Sequence, residues 1–210
     1  MKHNQTTPRA DGKVRIIGGR WRRRSLPVAK IDGLRPTGNR VRETLFNWLM
    51  PHLANAHCLD LFAGSGALGM EALSREASFV QFVEEHHAAS VSLSENLQSL
   101  NAEASEYSVH CGDAIRYLHS LSTNSGAQKT RPFDIVFLDP PFERDLWQQS
   151  VDLLAASPMV SSDALIYVES PRETKAKIPQ NWRTHRSLNA GSINATLYRL
   201  DPASEETQPA

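Results

Sequence analysis

Apolar runs and amphipathic stretches alternate along this 210-residue chain from residue 58 to residue 169. β-Branched and aromatic residues crowd the apolar runs, which predicts strands at 58–63, 79–84, 107–112, 133–139 and 164–169. Apolar residues at helical spacing predict helices at about 67–76, 87–100, 113–121 and 144–156. Strands that alternate with helices build right-handed βαβ units, so we expect an α/β fold around a mostly parallel sheet.

The alternation changes at both ends of the chain. The stretches 182–188 and 193–200 flank Gly191 and predict an antiparallel β-hairpin. The stretches 14–17 and 20–28 flank two glycines and predict a small basic hairpin near the start.

A helix of about a dozen residues is predicted after this first hairpin, with Thr37 as its N-cap. We therefore expect a basic extension over 13–50 that packs on a main domain over 51–200. The polar terminal segments 1–12 and 201–210 are expected to be disordered. The polar insert 120–131 is expected to be a mobile loop.

Composition places the chain among soluble globular proteins, with 40% hydrophobic and 22% charged residues. No apolar run approaches the ~18 residues that a membrane span needs, and the polar start of the chain lacks the apolar core of a secretion signal. We therefore expect a cytoplasmic location with no membrane partner. Cys58 and Cys111 both lie in strand-like runs, where we expect two buried, unpaired thiols.

The zero net charge of the chain hides a strong asymmetry. Residues 1–42 hold 12 Lys and Arg against 2 Asp and Glu, whereas the remaining residues hold 11 against 21. A basic arm on an acidic body indicates binding to a polyanion, although a solvated charged surface is the alternative. The candidate phosphate contacts are Arg20, Arg22, Arg23, Arg24, Arg35 and Arg42.

A glycine-rich turn separates the first strand of the main domain from its helix. Gly64-x-Gly66-x-x-Gly69 matches the dinucleotide fingerprint, and Glu84 follows where an acid that binds a ribose is expected. Glycine allows a backbone to approach a ligand closely. The turn alone is compatible with two cofactors, NAD(P) and S-adenosylmethionine.

Carboxylates at three successive strand ends distinguish these cofactors. Asp60 would repel a pyrophosphate at this turn but suits the ammonium group of S-adenosylmethionine. Glu84 would accept hydrogen bonds from the ribose hydroxyls, and Asp113 with Ala114 would bind the adenine amine and a ring nitrogen; Asp113 is also a good helix N-cap. The predicted site for S-adenosylmethionine, and for S-adenosylhomocysteine as its product, comprises Asp60, Phe62, Ala63, Gly64, Gly66, Glu84, Asp113 and Ala114.

Asp139-Pro140-Pro141-Phe142 follows directly on the predicted strand at 133–139. Two prolines remove two donors and fix two φ angles, so they end the strand and leave a rigid pair of acceptors beside an aromatic ring. Such a pair suits a planar group that carries an exocyclic amine. A Pro-Pro turn that merely ends a strand is the alternative.

These motifs resemble class I methyltransferases that act on exocyclic amines. Two segments are similar to the RsmD-type enzymes. They are Arg15-Ile-Ile-Gly-Gly-Arg20-Trp21 and Leu34-Arg-Pro-Thr with its continuation from Arg40 to Trp48. Those enzymes methylate N2 of one guanine in bacterial small-subunit (16S) rRNA. The resemblance covers about residues 14–200, and the Arg-Pro-Thr helix and the basic hairpin are its family-specific parts.

The resemblance implies a Rossmann-like, seven-stranded sheet whose last two strands are the antiparallel hairpin. It also implies that the Arg-Pro-Thr segment closes over the cofactor, so that Thr37 and Arg40 touch its methionine carboxylate. Two local departures stand out. Gly38-Asn39 replaces the usual hydroxyl residue and acid, and Glu85-His86 replaces the usual apolar residue and Asp, which makes Glu85 a rival for the role of Glu84.

The predicted chemistry follows from the acceptors at 139–142. Asp139 and the Pro140 carbonyl would bind the two N–H groups of a guanine amine, and Phe142 would stack on the base. We expect no metal site. The expected partner is 16S rRNA in a 30S subunit or an assembly intermediate, bound by a monomer that does not act on DNA. Two alternatives remain open. One is methylation of adenine or cytosine in another nucleic acid, and the other is a non-catalytic role in ribosome assembly.

Overall fold

The computed structural model describes residues 12–29, 38–123, 131–174 and 177–201. Five α-helices lie in these ranges: α1 (Asn39–Leu49), α2 (Ala67–Ser74), α3 (His87–Ser99), α4 (Ala114–Thr123) and α5 (Trp147–Ala155). The same ranges contain nine strands: β1 (Gly12–Arg15), β2 (Ser25–Val28), β3 (His57–Asp60), β4 (Phe79–Glu84), β5 (Tyr107–Cys111), β6 (Phe133–Leu138), β7 (Val160–Pro171), β8 (Trp182–Ala190) and β9 (Ile193–Leu200). Two short 3₁₀ turns follow α1 and β6, at Met50–His52 and Phe142–Arg144.

Seven strands form one sheet in the order β5-β4-β3-β6-β7-β9-β8. The first five of these are parallel to one another, while β9 pairs antiparallel with both β7 and β8. The predicted fold class is therefore confirmed, including the C-terminal hairpin. The chain order reverses between β3 and β6, the place where open α/β sheets bind ligands.

Helices cover both faces of the sheet. One buried cluster joins α1, α2 and α3 to one face, and a second joins α4 and α5 to the other. The central strands are buried along nearly their whole length, as parallel strands with helices on both faces require. No helix in the described part of the chain is long and apolar enough to cross a membrane.

The small hairpin of β1 and β2 packs on α2. Glu71 of α2 is fully buried and accepts hydrogen bonds from the backbone N–H groups of Ile17 and Gly18, at 2.7 and 2.8 Å, and from Arg75. These bonds take the two N–H groups out of any strand pairing, so β1 ends at Arg15. Residues 19–24 form a turn, with Arg22 N–H bonded to Gly19 O and Arg24 N–H to Trp21 O, so β2 begins only at Ser25. The prediction of a second strand from residue 20 was wrong for this reason.

Two further expectations differ from the structure, and several predicted segments lie outside the described residues. Cys58 is buried as predicted, but Cys111 is exposed because it ends the edge strand β5, which has a neighbour on one side only. Helix α1 begins at Asn39 with Gly38 in the N-cap position and no side-chain cap, so Thr37 does not occupy the position predicted for it. The Leu34–Thr37 segment, the terminal segments 1–11 and 202–210, and residues 124–130 of the predicted loop lie outside the described residues.

Candidate active site

The carboxyl ends of β3, β4, β5 and β6 bring four predicted acids to one edge of the sheet. Asp60 and Glu84 are the last residues of β3 and β4, and Asp139 follows the last residue of β6. Asp113 follows β5 by two residues. Because these strands are parallel neighbours, their ends meet, and the acids that the sequence singled out separately lie at one edge of the sheet. The space outside this edge, where open α/β sheets bind ligands, is called the crevice below.

The glycine-rich turn lies at the centre of this edge. Its backbone continues the pairing beyond β3, with Leu61 N–H bonded to Phe137 O at 3.2 Å and Ala63 N–H to Val83 O at 2.9 Å. Gly64 and Gly66 have φ angles of 53° and 74°, which favour glycine. The turn is therefore fixed to both neighbouring strands, and α2 starts from it without a side-chain cap.

Asp60 is buried beneath the turn. Its side chain is 3% exposed, and its Oδ2 accepts a 2.9 Å hydrogen bond from Gly69 N–H at the start of α2. Burial raises the pKa of Asp60 to about 7, and the nearby Glu84 charge adds to this while the bond from Gly69 opposes it. A cation placed beside Asp60 would stabilise the ionised carboxylate, and the ammonium group predicted for this position is such a cation.

Glu84 connects the turn to the next loop. Its Oε2 accepts from Gly64 N–H at 2.7 Å, and its Oε1 accepts from His86 N–H at 2.7 Å with the His86 Nδ1 at 3.0 Å. An ionised carboxylate has about four lone-pair sites, so Oε2 keeps capacity for a hydroxyl donor. Glu85 is exposed and forms an ion pair with Arg144 instead. The geometry therefore favours Glu84 over Glu85 as the ribose acid.

Asp113 combines two roles. Its Oδ1 accepts from Arg116 N–H at 2.8 Å, which caps α4, and Ala114 begins that helix. Its Oδ2 lies 3.9 Å from a guanidinium nitrogen of Arg144. The capping interaction that the sequence allowed is therefore present, and it engages one of the two carboxylate oxygens.

The Asp139–Phe142 loop carries an exposed ring. Pro140 is buried and Pro141 exposed, while the Phe142 side chain is 43% exposed and its ring centroid lies 5.6 Å from that of Trp147. Trp147 donates from Nε1 to Glu169 O at 2.8 Å, and the buried Tyr167 hydroxyl donates to Glu169 Oε2 at 2.8 Å. A buried polar network thus supports an aromatic face that remains available to a planar ligand.

The predicted phosphate contacts divide into three groups. Arg22 and Arg23 are exposed and line a pocket of about 310 Å³ together with Arg15, Asn39 and Glu43. Arg20 pairs with Glu106 at 2.7 Å and lies over the Trp21 ring, and Arg24 donates to Ser99 O at 3.0 Å. Arg15 was absent from the predicted set because a strand residue gives no local indication of which groove it will line.

Arg42 corrects the prediction for the third group. It is 1% exposed and donates from Nη2 to Arg15 O at 2.9 Å and to Asn39 Oδ1 at 2.6 Å. Burial lowers the pKa of Arg42, and the charge of Glu71 opposes this. A guanidinium enclosed in this way cannot reach a phosphate, so the prediction of Arg42 as a phosphate contact was wrong. Arg40 is exposed on α1, whereas Arg35 and Thr37 lie outside the described residues.

Glu71 and Arg144 had no motif to mark them in the sequence. Glu71 sits in an ordinary apolar helix, and its role depends on a hairpin more than 50 residues away. Arg144 gains its importance from two carboxylates in the loops that follow β4 and β5. In the described ranges, no group of three or more His, Cys, Asp and Glu side chains is arranged to hold a metal ion.

Comparisons with known proteins agree with this architecture. The model of the family described as conserved hypothetical protein 95 matches residues 14–199. The ribosomal RNA small subunit methyltransferase D of Escherichia coli K12 is 47% identical over 195 residues, which cover 92% of this chain and 93% of that protein. A solved structure of a putative methyltransferase from Escherichia coli, 44% identical, has a TM-score of 0.79 and covers 91% of this chain and 99% of its own.

A more distant structure shares the fold alone. It is a putative methyltransferase complexed with SAH, 14% identical, with a TM-score of 0.63 over 84% of this chain and 53% of its own. The family match and the close relative both extend over nearly all of the described residues. The chain therefore belongs to the conserved hypothetical protein 95 family, the family of the ribosomal RNA small subunit methyltransferase D proteins.

Proposed function

We propose that this protein transfers a methyl group from S-adenosylmethionine to the exocyclic N2 of a guanine in small-subunit (16S) rRNA. The observation that carries the proposal is the meeting of Asp60, Glu84 and Asp113 with the Asp139–Phe142 loop at one edge of the sheet. The first three acids suit the donor, and the loop suits an amine on a planar base. A site that combines both is a site for amine methylation.

The relatives support the two halves of this proposal separately. The Escherichia coli relative is named as a ribosomal RNA methyltransferase, which supports rRNA as the substrate. The distant fold neighbour was solved with SAH, which supports the choice of cofactor. The preference for N2 of guanine rests on the resemblance of the Arg-Pro-Thr segment and the basic hairpin to the RsmD-type enzymes.

The residues at the crevice fit the proposed donor. Asp60 would receive the ammonium group, because a positive charge compensates the burial of its carboxylate. Glu84 Oε2 would accept from the ribose, and Asp113 Oδ2 from the adenine amine. When bound, S-adenosylmethionine supplies an electrophilic methyl carbon on a positively charged sulfur. Thr37 and Arg40 remain the proposed contacts to the methionine carboxylate.

The loop residues would prepare the amine. The lone pair of a guanine amine is delocalised into the ring, so it is a poor nucleophile. Two fixed acceptors, the Asp139 carboxylate and the Pro140 carbonyl, would hold its two N–H groups and direct its lone pair at the methyl group. Phe142 would fix the plane of the base by stacking. As the new N–C bond forms and the methyl–sulfur bond breaks, the amine proton becomes acidic, and Asp139 would take it or pass it to water.

The small hairpin would hold the RNA. Arg15, Arg22 and Arg23 converge on one pocket, and none of the three forms an ion pair with another described residue. Arg20 and Arg24 are exposed as well but already bind groups of the protein. We therefore assign the principal phosphate contacts to the three Arg of the pocket. Arg20 and Arg24 would contact RNA only at its border. We also propose that the protein acts as a monomer in the cytoplasm, on a 30S particle or an assembly intermediate.

One assay tests this function. The protein is incubated with tritiated S-adenosylmethionine and, in separate reactions, naked 16S rRNA, partly assembled 30S particles and duplex DNA. We expect label in an RNA-containing reaction and none in DNA. Label in DNA alone contradicts the rRNA substrate. Label in none of the reactions contradicts the enzymatic function and favours a non-catalytic role in assembly.

A further inference from the structure

Arg144 spans the candidate site from one side to the other. It closes the 3₁₀ turn Phe142–Arg144 that follows β6, and its N–H bonds to Pro141 O at 3.2 Å. Its guanidinium forms an ion pair with Glu85, just beyond β4, and lies 3.9 Å from Asp113 Oδ2, beyond β5. One side chain thus connects the loop of Asp139 with the ends of the two strands at the other side.

The strand order shows what lies beneath this connection. In the sheet, β3 separates β6 from β4, and β5 lies beyond β4. Neighbouring strands are about 4.8 Å apart, so Arg144 crosses roughly 10 Å of the sheet edge. The glycine-rich turn follows β3 and therefore lies in the interval that Arg144 crosses. This is the interval in which the proposed cofactor would place its adenosine.

Arg144 and the proposed cofactor would compete for one acceptor, Asp113 Oδ2. Asp113 Oδ1 accepts the hydrogen bond that caps α4, so Oδ2 is the oxygen that we assign to the adenine amine. The Arg144 guanidinium lies 3.9 Å from this oxygen, so Arg144 and an adenine amine would share one acceptor. The proposed cofactor does not compete with Arg144 for Glu85. Glu84, and not Glu85, accepts the hydrogen bond from Gly64 N–H in the cofactor turn, so the ribose is assigned to Glu84. Arg144 can exchange Asp113 for adenine while it keeps Glu85.

We propose that Arg144 is a latch: its ion pair with Glu85 ties the Asp139–Phe142 loop across the adenosine end of the cofactor site, and the cofactor enters or leaves only when this pair opens. The inference rests on the proposed function, because it takes the crevice to be a site for S-adenosylmethionine. It makes Arg144 a positioning residue for the loop that holds the amine. It also explains why an acid follows Glu84 in this chain, at the place where the sequence departs from the pattern of the RsmD-type enzymes.

The latch links the cofactor site to the proposed base platform. Phe142 is two residues from Arg144, within the same short turn, and its ring is exposed. With the pair closed, the turn is held over the cofactor and Phe142 keeps its contact with Trp147. With the pair open, the turn is attached only through its own backbone. Exchange of the cofactor and loosening of the base platform should therefore occur together.

The rate at which S-adenosylhomocysteine leaves the full-length protein tests the latch. We would measure association and dissociation by stopped-flow fluorescence, with wild type, Arg144→Gln, Glu85→Gln and the double variant, at low and high salt. Both partners are nearly half exposed, so we expect each single variant to accelerate dissociation by about two- to fivefold, the size of one exposed ion pair. The double variant should add little to either single change. High salt should accelerate the wild type but not the variants.

Two further variants separate a latch from a structural defect. Arg183 forms an ion pair with Asp201 at the far end of the sheet, so Arg183→Gln is the matched control and should leave both rates unchanged. The exchanged pair, Glu85→Arg with Arg144→Glu, should restore slow, salt-sensitive dissociation. If the wild type binds the ligand but Arg144→Gln and Glu85→Gln release it at the wild-type rate, the latch is overturned and the proposed function stays intact. No binding by the wild type would contradict the proposed function itself.

Discussion

The carboxylate of Glu84 accepts a 2.7 Å hydrogen bond from the backbone N–H of Gly64, twenty residues earlier in the chain. This bond joins the end of β4 to the turn that follows β3. The predicted ribose acid and the predicted cofactor turn therefore form one rigid unit before any ligand arrives. A site assembled in advance loses little entropy on binding.

Removing the charge of Glu84 should weaken cofactor binding and leave the fold intact. Glu84→Gln keeps the size of the side chain and one acceptor for Gly64, but places an NH₂ group against the His86 N–H. We expect the affinity for S-adenosylhomocysteine to fall on the order of 10- to 100-fold, as for loss of a charged hydrogen bond. Calorimetric titration measures it. Glu95→Gln, an exposed change on α3, is the control, and equal affinities of the two variants would contradict this role for Glu84.

Asp60 should make the stability of the protein depend on pH. Its folded pKa of about 7 lies above the unfolded value of about 4. Between these values the folded protein binds more protons than the unfolded chain, so the free energy of unfolding should fall as pH rises from about 4 to about 7 and level off above. Over this pH range, Asp60 alone should lower the free energy of unfolding by an amount on the order of 4 kcal/mol.

Asp60→Asn isolates this contribution. Asn has a similar shape, keeps an acceptor for Gly69 N–H and does not titrate. Denaturant unfolding at pH 5, 6, 7 and 8 should show the variant gaining stability relative to the wild type as pH rises, until the difference becomes constant. A constant difference across the whole range would show that Asp60 is ionised in the folded protein at pH 5.

The Gly18-Gly19 turn should be essential for docking of the hairpin. Gly19 has φ +72°, and a Cβ atom there would lie 1.7 Å from Ser74 O of α2. Gly191 has φ +60° but open space around it. Gly191→Ala should therefore cost about 1 kcal/mol, from backbone strain alone. Gly19→Ala adds a clash with backbone and should cost about 2–5 kcal/mol. Equal losses in thermal or denaturant unfolding would contradict the close approach of turn and helix.

Arg22 and Arg23 should account for part of the salt dependence of RNA binding. Each Lys or Arg that contacts a phosphate contributes about 0.7 to 0.9 to the slope of log affinity against log salt. Changing both to Gln should lower the slope by roughly twice this amount and weaken binding to small-subunit rRNA. The control is Arg183→Gln with Arg186→Gln, on exposed positions of β8. If the slope were unchanged when Arg22 and Arg23 are both replaced, the RNA would bind elsewhere on the protein.

Much of the sheet could be predicted because its information is local. Each parallel strand is a short run of β-branched and aromatic residues, and each helix has its own apolar periodicity, so the alternation alone indicated the βαβ units. The acids at the strand ends followed from this order. Parallel strands end at the same edge, and so Asp60, Glu84, Asp113 and Asp139 could be placed together from the sequence.

The residues that could not be predicted depend on distant partners. Arg42 has the spacing of a surface residue on α1, but Arg15 O and the charge of Glu71 hold it inside the protein. Ile17 looks like the end of a strand, but Glu71 accepts hydrogen bonds from its N–H and from that of Gly18. No local pattern encodes such contacts. Arg144 belongs to the same class, since both of its partners lie in the loops that follow β4 and β5.

Identification of the nucleoside that receives the label is the most direct test of the proposed chemistry. Small-subunit rRNA, free or in particles, is labelled in a single turnover by wild type and by Asp139→Asn, digested to nucleosides and separated by chromatography. We predict N2-methylguanosine as the labelled product of the wild type, and a rate at least about 100-fold lower for Asp139→Asn with cofactor affinity unchanged. Label on adenosine or cytidine, or equal rates for the two proteins, would contradict the account.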